Sequence, residues 1–202
     1  MIGVMRRLLA VLLIAVPALA HAQEAKEITE VPVAAVARKS PAELRADQLD
    51  RLFARLHAAK DAQDAKTVEQ NIWQLWMASD SPTAEVLLRQ ATLAMGDNAS
   101  DQSLKILDQL VAAEPGFAEA WNKRATLYFN LGRLDDSLAD INKVLDLEPR
   151  HFGALSGRGM ILMRQKKFPQ ALNAYKEALD MNPAMEGVKD AVKALEKFQQ
   201  PI

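Results

Sequence analysis

The chain has 202 residues, half of them hydrophobic and a quarter charged, with a formal net charge of −1 at pH 7. That composition excludes a disordered chain, and its lack of basic excess argues against a general nucleic-acid binder, which needs a cationic stripe to displace counterions. With no cysteine and only 5% aromatic residues, a disulfide framework is ruled out and closely packed helices suit the chain better than a sheet sandwich.

Residues 1–22 read as a cleavable signal peptide. Arg6 and Arg7 precede an apolar run from Leu8 to Val16, and Ala20-His21-Ala22 gives the small-x-small cleavage pattern. Cleavage is expected after Ala22, which takes the net charge from −1 to −3 by removing two basic residues and no acidic ones. The alternative is an uncleaved membrane anchor, although the run is short against the ~20 residues of a membrane span. An Ala-rich signal without cysteine fits a bacterial periplasm, and membrane contact is expected only through the signal segment before cleavage.

Residues 23–39 hold Glu/Lys clusters and a small apolar patch, Val31 to Val36, without sustained periodicity, and are expected to form a flexible leader. Order is expected to begin at Ser40-Pro41-Ala42-Glu43, the pattern of a capping box with proline in the first turn. Leu44, Leu49, Leu52, Phe53 and Leu56 then form one stripe at helical spacing. A second helix carries Val68, Ile72, Trp73, Leu75 and Trp76, and Ser81-Pro82 starts a third. Residues 40–83 are thus predicted to be a helical hairpin that caps the N-terminal end. Trp73 and Trp76 lie on one face, either as core or, if exposed, as a second interface.

Pro115, Pro149 and Pro183 then recur 34 residues apart. They close three units, 84–117, 118–151 and 152–185, each predicted to be two helices. A fixed period of this size marks stacked helical hairpins, each burying its apolar face against its neighbours. Within the units, turns are expected at Gly96-Asp97-Asn98, Leu131-Gly132-Arg133 and Gln165-Lys166-Lys167, with Gly132 left-handed and Asn98 in the same role. The basic run Arg164 to Lys167 falls on such a turn and reads as solvated. Residues 186–202 supply a last amphipathic helix, through Val188, Val192, Leu195 and Phe198, that caps the stack.

The units resemble the tetratricopeptide repeat. In the middle one, Trp121, Ala125, Tyr128, Leu131-Gly132, Ser137, Ile141 and Pro149 fill the alternating large and small slots, with Val144 where alanine is usual. The third places Leu155, Gly159, Leu162, Phe168, Ala171, Tyr175, Ala178 and Pro183 in register. The first is weaker, with Leu87, Ala91, Ala94, Ser103, Leu107, Leu110 and Pro115. The resemblance implies an all-α, right-handed superhelix of antiparallel helix pairs, an α-α solenoid, expected as a monomer.

It also implies a concave groove lined by the first helix of each pair. Family geometry turns Leu88, Arg89 and Thr92 inward, then Asn122, Lys123, Thr126 and Phe129, then Ser156, Gly157, Met160 and Met163. Packing within the solenoid is the alternative reading for Phe129 and the methionines, and the favoured one for Met163. Some family members clamp a peptide's terminal carboxylate here, but Leu88, Thr92, Lys123, Gly153 and Gly157 fill those slots and only Lys123 suits the task. Gly153 and Gly157 lack a packing reason in the repeat pattern, and the close approach of a partner's backbone is the expectation for them. No catalytic motif is present: His57 and His151 stand 94 residues apart, and neither a phosphate-cradling glycine loop nor a nucleophile elbow occurs. The expectation is a non-catalytic scaffold or assembly factor that binds a protein or peptide, with no cofactor, no metal and no nucleic acid. A membrane-tethered adaptor, and a helical enzyme or small-ligand binder, are the alternatives.

Overall fold

The computed structural model describes residues 39–199. The expected signal peptide, its cleavage point and all but the last residue of the leader lie outside the described residues. Within them the chain forms nine α-helices and no strand: α1 Pro41–His57, α2 Ala62–Met77, α3 Pro82–Gly96, α4 Ser100–Ala113, α5 Ala118–Asn130, α6 Leu134–Leu147, α7 Phe152–Arg164, α8 Phe168–Met181 and α9 Glu186–Gln199. None of these helices is long and apolar enough to cross a membrane.

The helix limits follow from local chemistry. At Ser40 the capping box is complete, with Oγ accepting from the Glu43 N–H at 3.2 Å and the Glu43 carboxylate accepting from the Ser40 N–H at 2.7 Å. Asp61 caps α2 through the N–H groups of Gln63 and Asp64. Two residues beyond the end of the first helix of each repeat stands a residue at positive φ: Asn98 (57°), Gly132 (75°) and Lys166 (58°). At each turn the next N–H reaches back five residues, as Arg133 N does to Tyr128 O at 2.9 Å, closing the last open carbonyls. Lys166 takes this conformation with a β-carbon in place, a cost of ~1–2 kcal/mol that the repeat geometry imposes.

Helices α3–α4, α5–α6 and α7–α8 pair, and each pair packs on the next. Small residues at the crossings let the backbones approach. Ala91, Ala125 and Gly159 face Ser103, Ser137 and the Tyr175 ring; Ser103 Oγ donates to Ala91 O at 2.9 Å and Ser137 Oγ to Ala125 O at 2.7 Å. Gly159 has a steric reason, since a β-carbon there would lie 2.5 Å from Tyr175 Cε1. Between the first two repeats, the Arg124 guanidinium makes a two-point contact with the buried Asp140 carboxylate, both arms 2.8 Å, and a third with Asp108. Hydrogen bonding to Asp140 outweighs burial and pushes the Arg124 pKa up from its ordinary value. Helix α9 covers the end of the stack with Val188, Val192 and Leu195.

The α1–α2 hairpin departs from the expected end cap. Its apolar face (Leu49, Phe53, Leu56, Val68, Ile72 and Trp76) closes on Phe152 of the third repeat and on the partly buried Met181, Ala184 and Met185. Polar contacts over long sequence distances fix it there: Arg150 to Asp50 at 2.6 Å, His57 Nε2 to Asp180 O at 2.7 Å and Asn182 Nδ2 to Glu69 at 3.1 Å. In an ordinary solenoid each unit touches only its neighbours. Here the first hairpin reaches past two repeats to the third, because its aromatic residues find their burial at the start of α7.

Candidate functional site

The groove residues follow from the repeat register, which brings positions one turn apart on α3, α5 and α7 to one face. The structure divides them into two recesses, of which the first is walled in part by α2. The first, about 410 Å3, is bounded by Leu88, Arg89, Thr92 and Leu93 of α3 and by Gln74 and Met77 of α2. Leu88 is only 2% exposed and belongs to the core of the first repeat, so it gives the recess a floor and no adaptable contact.

The second recess, about 190 Å3, lies between α5 and α7. It gathers Asn122, Thr126, Phe129, Ser156, Gly157 and Met160, six of the expected residues, and adds Ile141, Gly153 and Met185. Phe129 is half-buried, with the Arg164 guanidinium 4.0 Å above its ring centroid. Met160 is exposed, whereas Met163 packs against the core of the third repeat and is withdrawn from the site. Apolar walls with hydroxyl and amide groups around them suit one apolar side chain flanked by peptide backbone.

Gly153 and Gly157 separate here. A β-carbon on residue 153 would lie 2.7 Å from Trp73 Cη2, so the close approach expected there is made by the chain's own indole and not by a foreign backbone. On residue 157 it would meet only the Ile141 Cδ1 methyl, at 3.3 Å.

Asn122 and Lys123 are drawn into a buried charge cluster. The Glu119 carboxylate, at the start of α5, has no exposed surface. It accepts from Asn122 Nδ2 at 3.0 Å, lies 3.2 Å from His151 Nε2 and pairs with Lys123 Nζ at 3.2 Å. Burial alone would raise its pKa; the His151 hydrogen bond, with the Lys123 charge and the Asn122 amide, outweighs burial and holds the carboxyl below its ordinary value. His151 Nδ1 accepts from Ala154 N at 3.1 Å and so caps α7, which leaves Nε2 as the ring's donor to Glu119. Lys123 therefore balances a buried carboxylate, and its charge is not free for a ligand.

The sequence reading passed over Glu119, His151, Ile141 and Met185 as site residues. The period held a signal for two of them. Phe117, His151 and Met185 close successive units at 34-residue spacing, a position buried or partly buried each time. Among the described residues, no group of three His, Cys, Asp or Glu side chains could hold a metal ion.

Stacked two-helix units with an apolar recess on the inner face define a helical-repeat protein. The tetratricopeptide repeat model matches residues 88–152 and again 122–186, and the described residues have the fold of an all-α tetratricopeptide-repeat solenoid. Its fold is similar to that of the first such domain of Spaghetti (RPAP3) bound to an HSP90 peptide, with TM-score 0.56, 21% identity, and 59% of this chain and 94% of that one covered. It is also similar to the type III secretion chaperone SycD of Yersinia enterocolitica in complex with a peptide of the translocator YopD, with TM-score 0.56, 11% identity, and 60% and 98% covered. A third likeness is the TPR2B domain of yeast Sti1 in a complex with pHsp70, with TM-score 0.54, 16% identity, and 59% and 100% covered. No curated protein matches the sequence.

Proposed function

We propose that this protein is a non-catalytic interaction module that holds a segment of another protein on its concave face, with the α5–α7 recess as anchor for one apolar side chain. The observation that carries this reading is the recess itself: Phe129, Ile141, Met160 and Met185 as walls, and Asn122, Thr126 and Ser156 as hydrogen-bonding groups beside them. Solved structures of the same fold hold peptides, from HSP90 in one case and from YopD in another. The present chain lacks the clamp residues for a terminal carboxylate, so the segment bound is internal to its protein or is held by its side chains. The same reading makes it a scaffold or assembly factor of a bacterial periplasm, delivered by a signal peptide cleaved after Ala22.

Two exposed wall positions test the site. Thr126→Arg fills the recess with a long charged side chain, and Met160→Glu puts a carboxylate on its apolar wall. Lys123 is left alone, because a change there would strand the buried Glu119. Affinity capture from an envelope extract should recover the partner with the wild-type protein and lose it with either variant. Recovery of the same proteins by all three would refute the recess as the site. Cell fractionation with intact-mass measurement tests the location: a periplasmic product starting at Gln23 is expected, and a membrane-bound full-length chain would favour the tethered adaptor.

A further inference from the structure

The concave face already holds a helix. α2 buries Val68, Ile72 and Trp76, half-buries Trp73, and turns Gln70, Gln74 and Met77 outward. Its two tryptophans rest on the start of α7. Trp76 stacks on His151 with ring centroids 4.0 Å apart and planes 11° from parallel, and lies 4.9 Å from the Phe152 ring. Trp73 meets Phe152 edge-on at 5.5 Å and fills the space a side chain on residue 153 would need. Gly153 also lines the α5–α7 recess. A single residue without a side chain therefore separates the chain's own indole from the proposed peptide anchor.

Docking of this hairpin is separable from the packing of the repeats. The clusters that join α3–α4 to α5, α5–α6 to α7 and α7–α8 to α9 contain no residue of α1 or α2. The hairpin keeps its own core of Leu49, Phe53, Leu56, Val68 and Ile72, and the buried solenoid residues it meets are few: Phe152 in the apolar cluster, His151 under Trp76 and Asn182 bonded to Glu69. The tether to α3 is short and non-helical, Ala78 to Ser81. Docking also leaves the Trp76 Nε1–H buried with no acceptor, an unmet donor that release into water would satisfy. The aromatic contacts with His151 and Phe152 and the long-range polar pairs hold the hairpin down, and the tether adds to them because a linked segment faces its site at high effective concentration.

We propose that the α1–α2 hairpin is a resident occupant of the concave face, and that the surface beneath it binds an amphipathic helix of the partner bearing aromatic residues three apart, in place of α2. The surface consists of His151, Phe152, Gly153, Met181 and Met185. The proposal rests on the concave face being the partner site, and it adds regulation: a partner reaching beyond the α5–α7 recess gains contact only as the hairpin swings away. The chemistry of the partner helix is read from the helix the surface now holds.

The test uses the full chain and, as probe, a fluorescein-labelled synthetic peptide of residues 62–77. Trp73→Ala weakens docking of the resident helix, whereas Glu69→Cys/Asn182→Cys, in a chain without other cysteines, lets a short bis-maleimide crosslinker fasten the hairpin down. Fluorescence anisotropy should show the peptide binding Trp73→Ala about tenfold more tightly than wild type, because the competing tethered helix is weakened, and should show no binding to the crosslinked protein. Equal binding to Trp73→Ala and the crosslinked protein, with native helicity in both, overturns the proposal. Hydrogen exchange on the wild-type protein is a second reading that needs no variant. Amides of α1 and α2 should exchange about tenfold or more ahead of those in α5 to α8, as expected of a unit that opens by itself. Exchange of all these helices at one common rate would mean the hairpin opens only on global unfolding, and would equally overturn it. Partner capture by Thr126→Arg and Met160→Glu is scored separately, so failure of the recess and failure of the hairpin proposal are distinguishable.

Discussion

Three glycines in α7, each changed to alanine, should move stability in different directions. In a helix interior the change gains ~0.5–1 kcal/mol from backbone entropy and propensity. Against that stands whatever the new methyl strikes, and forced overpacking costs ~1–3 kcal/mol. At Gly159 the methyl would lie 2.5, 2.6 and 2.9 Å from three atoms of the Tyr175 ring, which is buried between α7 and α8 and has nowhere to swing. The steric cost wins there, and Gly159→Ala should lose about 1–2 kcal/mol. At Gly157 the only neighbour is the terminal methyl of Ile141, at 3.3 Å, which yields by a small rotation. The propensity gain survives, so Gly157→Ala should be more stable than wild type by about 0.5 kcal/mol. Gly153 sits in the first turn, where the propensity gain is smaller, and meets Trp73 at 2.7 Å. Because Trp73 belongs to the tethered hairpin, Gly153→Ala should lose up to about 1 kcal/mol while shifting the hairpin rather than the repeats. Urea unfolding followed by far-ultraviolet circular dichroism gives the order through the midpoints, provided the slopes agree. A Gly159→Ala protein as stable as wild type, or Gly157→Ala as the least stable of the three, would refute this reading of the helix contacts.

Arg124→Ala should cost about 3 kcal/mol, since it leaves the buried Asp140 carboxylate unpaired, while Arg124→Lys should cost about half as much by keeping the charge and losing the two-point geometry; urea midpoints report both. Lys166→Gly should stabilise by up to ~1 kcal/mol, because the backbone there is already left-handed, and an unchanged or lower midpoint would contradict that. The depressed pKa of Glu119 gives a pH dependence of definite sign. Its contribution is complete above the unfolded value of ~4.3 and is lost as pH falls through the lower folded value, so Glu119→Gln should flatten the acid limb of a stability–pH curve. Ser137→Ala should cost about 0.5–1 kcal/mol through loss of its bond to Ala125 O, because that carbonyl sits at a helix crossing shielded from water.

Legibility differed by element. The capping box at Ser40, the turns at Asn98 and Gly132 and the alternation of small and large residues are local or recur at a fixed step, so residue types alone carry them. Lys166 shows the limit of that logic: nothing in its side chain announces a left-handed residue, and the repeat geometry places it there. Six residues of the α5–α7 recess were readable from the register, since equivalent positions on successive repeats must face the same way. Ile141 and Met185 were not, because they enter the recess from a second helix and from a loop. Leu88 and Met163 carried the right register and still turned out to be core.

By itself the sequence determined that the chain is a stack of helix pairs, where the pairs begin and end, and which side of α3, α5 and α7 forms the inner face. Those facts rest on contacts between neighbours in the chain, and a period of 34 residues writes them down repeatedly. Only the tertiary structure decided where α1 and α2 go. They lie outside the period, and the residues that receive their tryptophans, His151 to Gly153, stand more than 70 positions away. Burial of the Trp76 indole and half-burial of Trp73 send the hairpin onto the third repeat, and that choice divides the groove and leaves Gly153 bare.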